Sequence, residues 1–121
     1  MPSMFVGVCR IELRIPDIDS LKAKRSVVRK VVERTARRFT VAVAEVGEQD
    51  THRRAVVGVA VVSASSSHAN TMIDHIVAFI SGIGEAIVER RDMEIMPFRE
   101  AVASHEGVRL RWSDFEDEDG T

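Results

Sequence analysis

The chain has 121 residues, 45% of them apolar and 30% charged, with a formal net charge of −2. That length serves one compact domain and is too short for two with separate cores, and the balance excludes wholesale disorder. The longest unbroken apolar run, residues 55–62, is far short of the roughly 20 residues that cross a bilayer as a helix. The first nine residues lack the basic flank and longer apolar stretch of a secretory signal, so the cytoplasm is the expected location. A single cysteine, Cys9, cannot close an intrachain disulfide, and its place among apolar neighbours predicts a core residue.

Residues 5–15 place Phe5, Gly7, Cys9, Ile11, Leu13 and Ile15 at odd positions, with Arg10, Glu12 and Arg14 between the later ones. Alternation at period two predicts a first strand with one buried face. Pro16 ends it, because proline cannot donate to a ladder. Asp17 to Ser20 carry helix-cap chemistry, and the apolar spacing then changes to Leu21, Val28, Val32, Thr35 and Phe39, one stripe of a helix running to about Arg38. Residues 40–46 are small or β-branched, Gly47-Glu48-Gln49-Asp50 supplies a turn, and residues 54–62 resume as a near-continuous apolar run. This predicts a hairpin with a long connection. Both faces of its second strand are apolar and both require cover.

A serine-rich loop, residues 63–67, precedes Ala69, Met72, Ile73, Ile76 and Ile80, the stripe of a second helix that Gly82 and Gly84 end. Residues 86–96 form a fourth strand whose alternation is disturbed by Glu89-Arg90-Arg91-Asp92, with Pro97 closing it. Val108, Leu110 and Trp112 alternate with Arg109 and Arg111, which permits one short further strand. The order β-α-β-β-α-β predicts an α+β ferredoxin-like sandwich, with two helices on one face of a four-stranded antiparallel sheet. Residues 1–96 form this domain, and residues 97–121 are a C-terminal extension with an acidic tail. The other sheet face would leave Val6, Val8 and half of the third strand wet, so a second subunit or the extension is expected to cover it.

Charge is segregated along the chain. Residues 20–39 hold Lys22, Lys24, Arg25, Arg29, Lys30, Arg34, Arg37 and Arg38 against Glu33 alone, while Asp114, Glu116, Asp117, Glu118 and Asp119 crowd the last nine residues. Such asymmetry fits a polyanion-facing surface with an acidic appendage, and equally a solvated helix face with a solubilising tail. On the helical wheel Lys30, Arg34 and Arg37 lie opposite the apolar stripe, and Lys22 and Arg29 lie on a flank. Lys24 and Arg25 sit beside the stripe, where a cation must snorkel or find an acid. Glu45, near the end of the second strand, is the candidate partner, and a structural Arg25–Glu45 ion pair is expected; the alternative is a fixed pose for binding phosphate.

Several linked motifs resemble a known family: Val6-Gly7-Val8, the run from Ser20 through Leu21-Lys22-Ala23-Lys24-Arg25-Ser26 to Val27, Phe39 with Val43-Ala44-Glu45, and Gln49-Asp50 followed by Arg54-Ala55-Val56-Val57-Gly58-Val59-Ala60. In this order they resemble the YlxP-like bacterial proteins, domain-of-unknown-function family five-zero-three, from Met4 to about Met96. The resemblance implies a ferredoxin-like fold and no established enzymatic activity. Its members' genes neighbour those of translation initiation and ribosome maturation, which implies a role near the small ribosomal subunit by association. Thr51-His52 stand where the family often has an aromatic residue, commonly tryptophan, so no stacking role carries over to that loop. The extension with Trp112 lies beyond the family core.

The remaining constellations are weaker. His68 and His75 are seven apart on the second helix, two turns that separate them too widely for one metal ion without further ligands; His52 and His105 complete the histidines. Neither HExxH nor a cysteine pair is present, Asp74 beside His75 lacks a nucleophile motif, and no glycine belongs to a phosphate-cradling pattern. Hence neither cofactor nor metal nor catalytic residue is expected. The expected function is that of a cytoplasmic, non-enzymatic accessory factor in translation or ribosome maturation, a homodimer that contacts ribosomal RNA phosphates through Lys22, Lys24, Arg25, Arg29, Lys30, Arg34 and Arg37. The sheet lacks a base-stacking platform. The alternative is a homo-oligomeric protein-interaction module that uses the open apolar sheet face and binds no RNA.

Overall fold

The computed structural model describes residues 4–49, 51 and 53–98. Its elements are β1 (Met4–Arg14), α1 (Leu21–Phe39), β2 (Ala42–Gly47), β3 (Arg54–Ser63), α2 (Ser66–Ile83) and β4 (Ile87–Phe98). The four strands form one sheet in the order β2-β3-β1-β4, and every pairing is antiparallel. Both helices cover the same face. The expected ferredoxin-like sandwich is the observed one.

The central pair is in continuous register from Phe5 opposite Ser63 to Arg14 opposite Arg54. Alternation then decides the faces: Gly7, Cys9, Ile11 and Leu13 of β1, with Ala55, Val57, Val59 and Val61 of β3, are buried beneath the helices. Ile73, Ile76 and Ile80 of α2 and Val27, Val28 and Val31 of α1 meet them. Each such aliphatic side chain contributes about 1.5–3 kcal/mol of transfer free energy. At Gly7 the core is tight, since a Cβ there would lie 3.0 Å from both Ile73 Cδ1 of α2 and Val61 Cγ2 of β3. Cys9 is a core residue as expected, and burial pushes its thiol pKa up against the opposing pull of the Arg91 guanidinium.

Serines start both helices: Ser20 Oγ accepts from the Ala23 amide and Ser65 Oγ from the His68 amide, each at 3.1 Å. Thr40 ends α1 in the left-handed region at φ 54°, and Gly84 ends α2 at φ 90°. Gly82 lies within α2 and does not end it. Phe39 and Phe79 join the helices edge to face, with centroids 5.5 Å apart.

Two sequence expectations change here. Pro97 does not close the fourth strand, which reaches Phe98 with Pro97 opposite Phe5; β4 is an edge strand, and one side of an edge strand has no ladder to interrupt. The α1 stripe is rotated by about one position, centring on Val27, Val28, Val31 and Thr35 and leaving Leu21, Val32 and Phe39 half-buried. The further strand expected around residues 108–112 and the acidic tail lie outside the described residues.

Candidate nucleic-acid interface

The rotation of α1 reassigns two of the expected site residues. Lys24 lies inside the buried stripe, three and four residues before Val27 and Val28, and is 1% exposed. Its ammonium donates to the Glu48 carbonyl at 2.7 Å and lies 3.1 Å from Glu45 Oε2. That carboxylate oxygen receives no well-directed hydrogen bond, so its attraction to Lys24 is chiefly coulombic. The Glu48 carbonyl also accepts from the Thr51 amide at 3.2 Å, and Glu48 itself stands at φ 58°. Lys24 is therefore a clasp that ties the start of α1 to the end of β2 and the turn beyond it. It cannot reach a phosphate, which removes it from the expected contact set.

The ion pair expected between Arg25 and Glu45 is corrected at the same point. Glu45 faces the helix layer, and the side chain above it is Lys24; Arg25, one residue on and 100° further round, is exposed. Lys30 is half-buried and pairs with Glu85 at the end of α2. Arg38 lies with its guanidinium carbon 5.0 Å from the Phe39 ring centroid.

What remains is a set of five. Lys22, Arg25, Arg29, Arg34 and Arg37 are exposed, and none has a carboxylate within 4 Å among the described residues. Within that set Arg25 and Arg29 are like charges at i,i+4, and Arg34 has Lys30 and Arg38 at the same spacing, each pair unfavourable by about 0.2–0.5 kcal/mol, while Glu33 at i,i+4 from both Arg29 and Arg37 offsets part of this. The last-turn bases Arg37 and Arg38 also lie at the negative end of the helix dipole. Arginine chemistry on a rigid helix offers planar donors suited to phosphate oxygens, with successive turns presenting cations about 6 Å apart along the axis.

His68, Asp74 and His75 lie exposed on α2, and Asp74 pairs with Arg91 of β4. His52 and His105 lie outside the described residues. Among those described, no group of three or more histidine, cysteine or acidic side chains converges as metal ligands would, and no helix is long and apolar enough to cross a membrane. The residues that sequence reasoning missed are on β4: Ile87, Met96 and Phe98 are exposed. The charge run and Pro97 hid the alternation that places Met96 and Phe98 beside Val6 and Met4.

Fold and surface together define the class, a ferredoxin-like α+β domain whose first helix is cationic outside. The chain belongs to the family described as "Protein of unknown function (DUF503)", whose model matches residues 6–93. It is 35% identical over 80 residues to "Uncharacterized protein YlxP" of Bacillus subtilis (strain 168), covering 66% of this chain and 87% of that protein. Among solved structures it is similar to a structural-genomics protein, YjcS, at 10% identity and a TM-score of 0.48, over 74% of this chain and 96% of that one. It is also similar to a putative antibiotic biosynthesis monooxygenase from Nitrosomonas europaea, at 16% identity and a TM-score of 0.43, over 81% and 92% of the two chains.

Proposed function

We propose that this protein is a cytoplasmic, non-enzymatic accessory factor in translation or ribosome maturation that grips RNA phosphates with the outer surface of α1. The observation that carries this reading is the set of five exposed cations on α1 that have no carboxylate within 4 Å among the described residues, with Arg25 and Arg29 repelling each other at i,i+4. Arg10, Arg14, Arg54, Arg90 and Arg91 all have a carboxylate within 4 Å. An external polyanion relieves the repulsion on α1, and released counterions drive its binding. The link to ribosomal RNA in particular comes from the genomic setting that the family resemblance implies.

Salt dependence tests the reading. Five phosphate contacts to single-stranded RNA correspond to a log–log slope of about −3.5, so affinity falls about 100-fold between 50 and 200 mM salt. Fluorescence anisotropy with labelled RNA, and with small ribosomal subunits, measures that slope directly. A variant carrying Arg25→Glu, Arg29→Glu, Arg34→Glu and Arg37→Glu is expected to lose more than about 100-fold in affinity at 100 mM salt while its circular dichroism stays that of the parent. Absence of binding by the parent at 50 mM salt overturns the reading.

A further inference from the structure

The sheet face away from the helices is open. Because Gly7, Cys9, Ile11 and Leu13 point to the helices, Met4, Val6, Val8, Arg10, Glu12 and Arg14 point outward, and the register carries that side across to the neighbouring strands. All five of the exposed large apolar side chains among the described residues lie there: Val62 and Met96 flank Val6, Phe98 is opposite Met4, Ile87 is opposite Arg14, and Val46 folds against Gly58. Val62 is 63% exposed and Phe98 53%. Beside Val46 and Val8 runs an apolar hollow of about 550 Å³, floored by the small residues Ala42, Ala44, Gly58 and Ala60.

Charge on this face follows a diagonal. Arg10 pairs with Glu12, Arg90 with Asp92, and Arg14 and Arg54 share Glu89, all toward the corner where β4 begins. With Glu94, the face carries four arginines and four carboxylates and is neutral. The opposite corner, where β2 begins, is apolar.

We infer that the open face is a self-association surface, covered in solution by the same face of a second copy of this chain. Three features choose that occupant. The face is neutral and internally paired, so two copies meet without net repulsion, whereas α1 surfaces repel one another. The area approaches what is needed: three strands about 4.8 Å apart and paired over about 33 Å, with β2 over about half that length, give roughly 550 Å² in projection, and side-chain relief raises this toward the roughly 800 Å² per partner of a stable interface. The layout is also self-complementary. A two-fold axis along the diagonal lays the charged corner and the apolar corner each on its own copy and turns Val6 and Val62 toward the partner's hollow. Both α1 surfaces then face outward on opposite sides.

Light scattering and sedimentation of the full chain at 1–100 µM test this independently of RNA. The expected result is a dimer that Val62→Lys and, separately, Ala60→Arg convert to a monomer, with circular dichroism unchanged; Val62 is exposed enough in one copy that its replacement leaves the fold intact. The α1 charge-reversal variant is expected to stay dimeric. A monomeric parent at 100 µM overturns the inference, whether residues 99–121 or another molecule covers the face, and so does a dimer that survives Val62→Lys.

Discussion

The outer surface of α1 and the open face of the sheet use arginine in opposite ways. On the sheet, Arg10, Arg14, Arg54 and Arg90 each meet a carboxylate at 2.7–3.3 Å. On α1, Lys22, Arg25, Arg29, Arg34 and Arg37 meet none among the described residues. The cause is positional. Strands bring together residues two apart and residues on neighbouring strands, and here those places hold Glu12, Glu89 and Asp92. On α1 the one acid is Glu33, four residues from Arg29 and from Arg37, and the other places four residues away hold further bases or uncharged residues. One surface has settled its charge internally and suits an apolar, neutral partner; the other has left it available to a polyanion.

The largest effect expected on stability comes from the one cation that belongs to neither surface. Lys24→Met leaves the Glu45 carboxylate and the Glu48 carbonyl without their ammonium and is expected to destabilise the fold by about 3 kcal/mol, read from urea denaturation. Its RNA-binding salt slope is expected to match the parent's; a shallower slope would place Lys24 among the contacts. Glu85→Gln sharpens the comparison from the other side by releasing Lys30 to the α1 surface. One added phosphate contact is expected to tighten RNA binding about five-fold at 0.1 M salt, and unchanged anisotropy would confine the contact to the other flank of the helix. The smallest effect is expected for Glu89→Gln, which unpairs the exposed Arg14 and Arg54. Stability should fall by less than about 1 kcal/mol, and a larger loss in thermal unfolding would show that the sheet-face ion pairs do more than neutralise charge.

Element order and type were legible because the two periods, 2.0 and 3.6, are clean in β1, α1 and α2. The open apolar face was legible in part, through Val6, Val8 and the two-sided β3. Its β4 share was not, because Glu89-Arg90-Arg91-Asp92 spans the irregular register opposite Glu12 and Leu13, where one extra residue shifts the alternation. The cationic helix was visible as composition, yet the sorting of its members was not. Lys24 occupies a stripe position with Val27, Val28, Val31 and Thr35, so a wheel drawn through those four, and not through Leu21, Val32 and Phe39, would have placed it inside.

By itself the sequence determined the fold class, the buried faces of β1 and α2 and the concentration of positive charge on α1, because periodicity and local charge are properties of neighbours along the chain. Tertiary structure decided which cations are spent on partners distant in sequence. Glu45 lies 21 residues from Lys24, Glu85 lies 55 from Lys30, and Glu89 lies 75 from Arg14. Electrostatic pairing falls with distance in space, and only the folded sheet and helices bring those groups within reach.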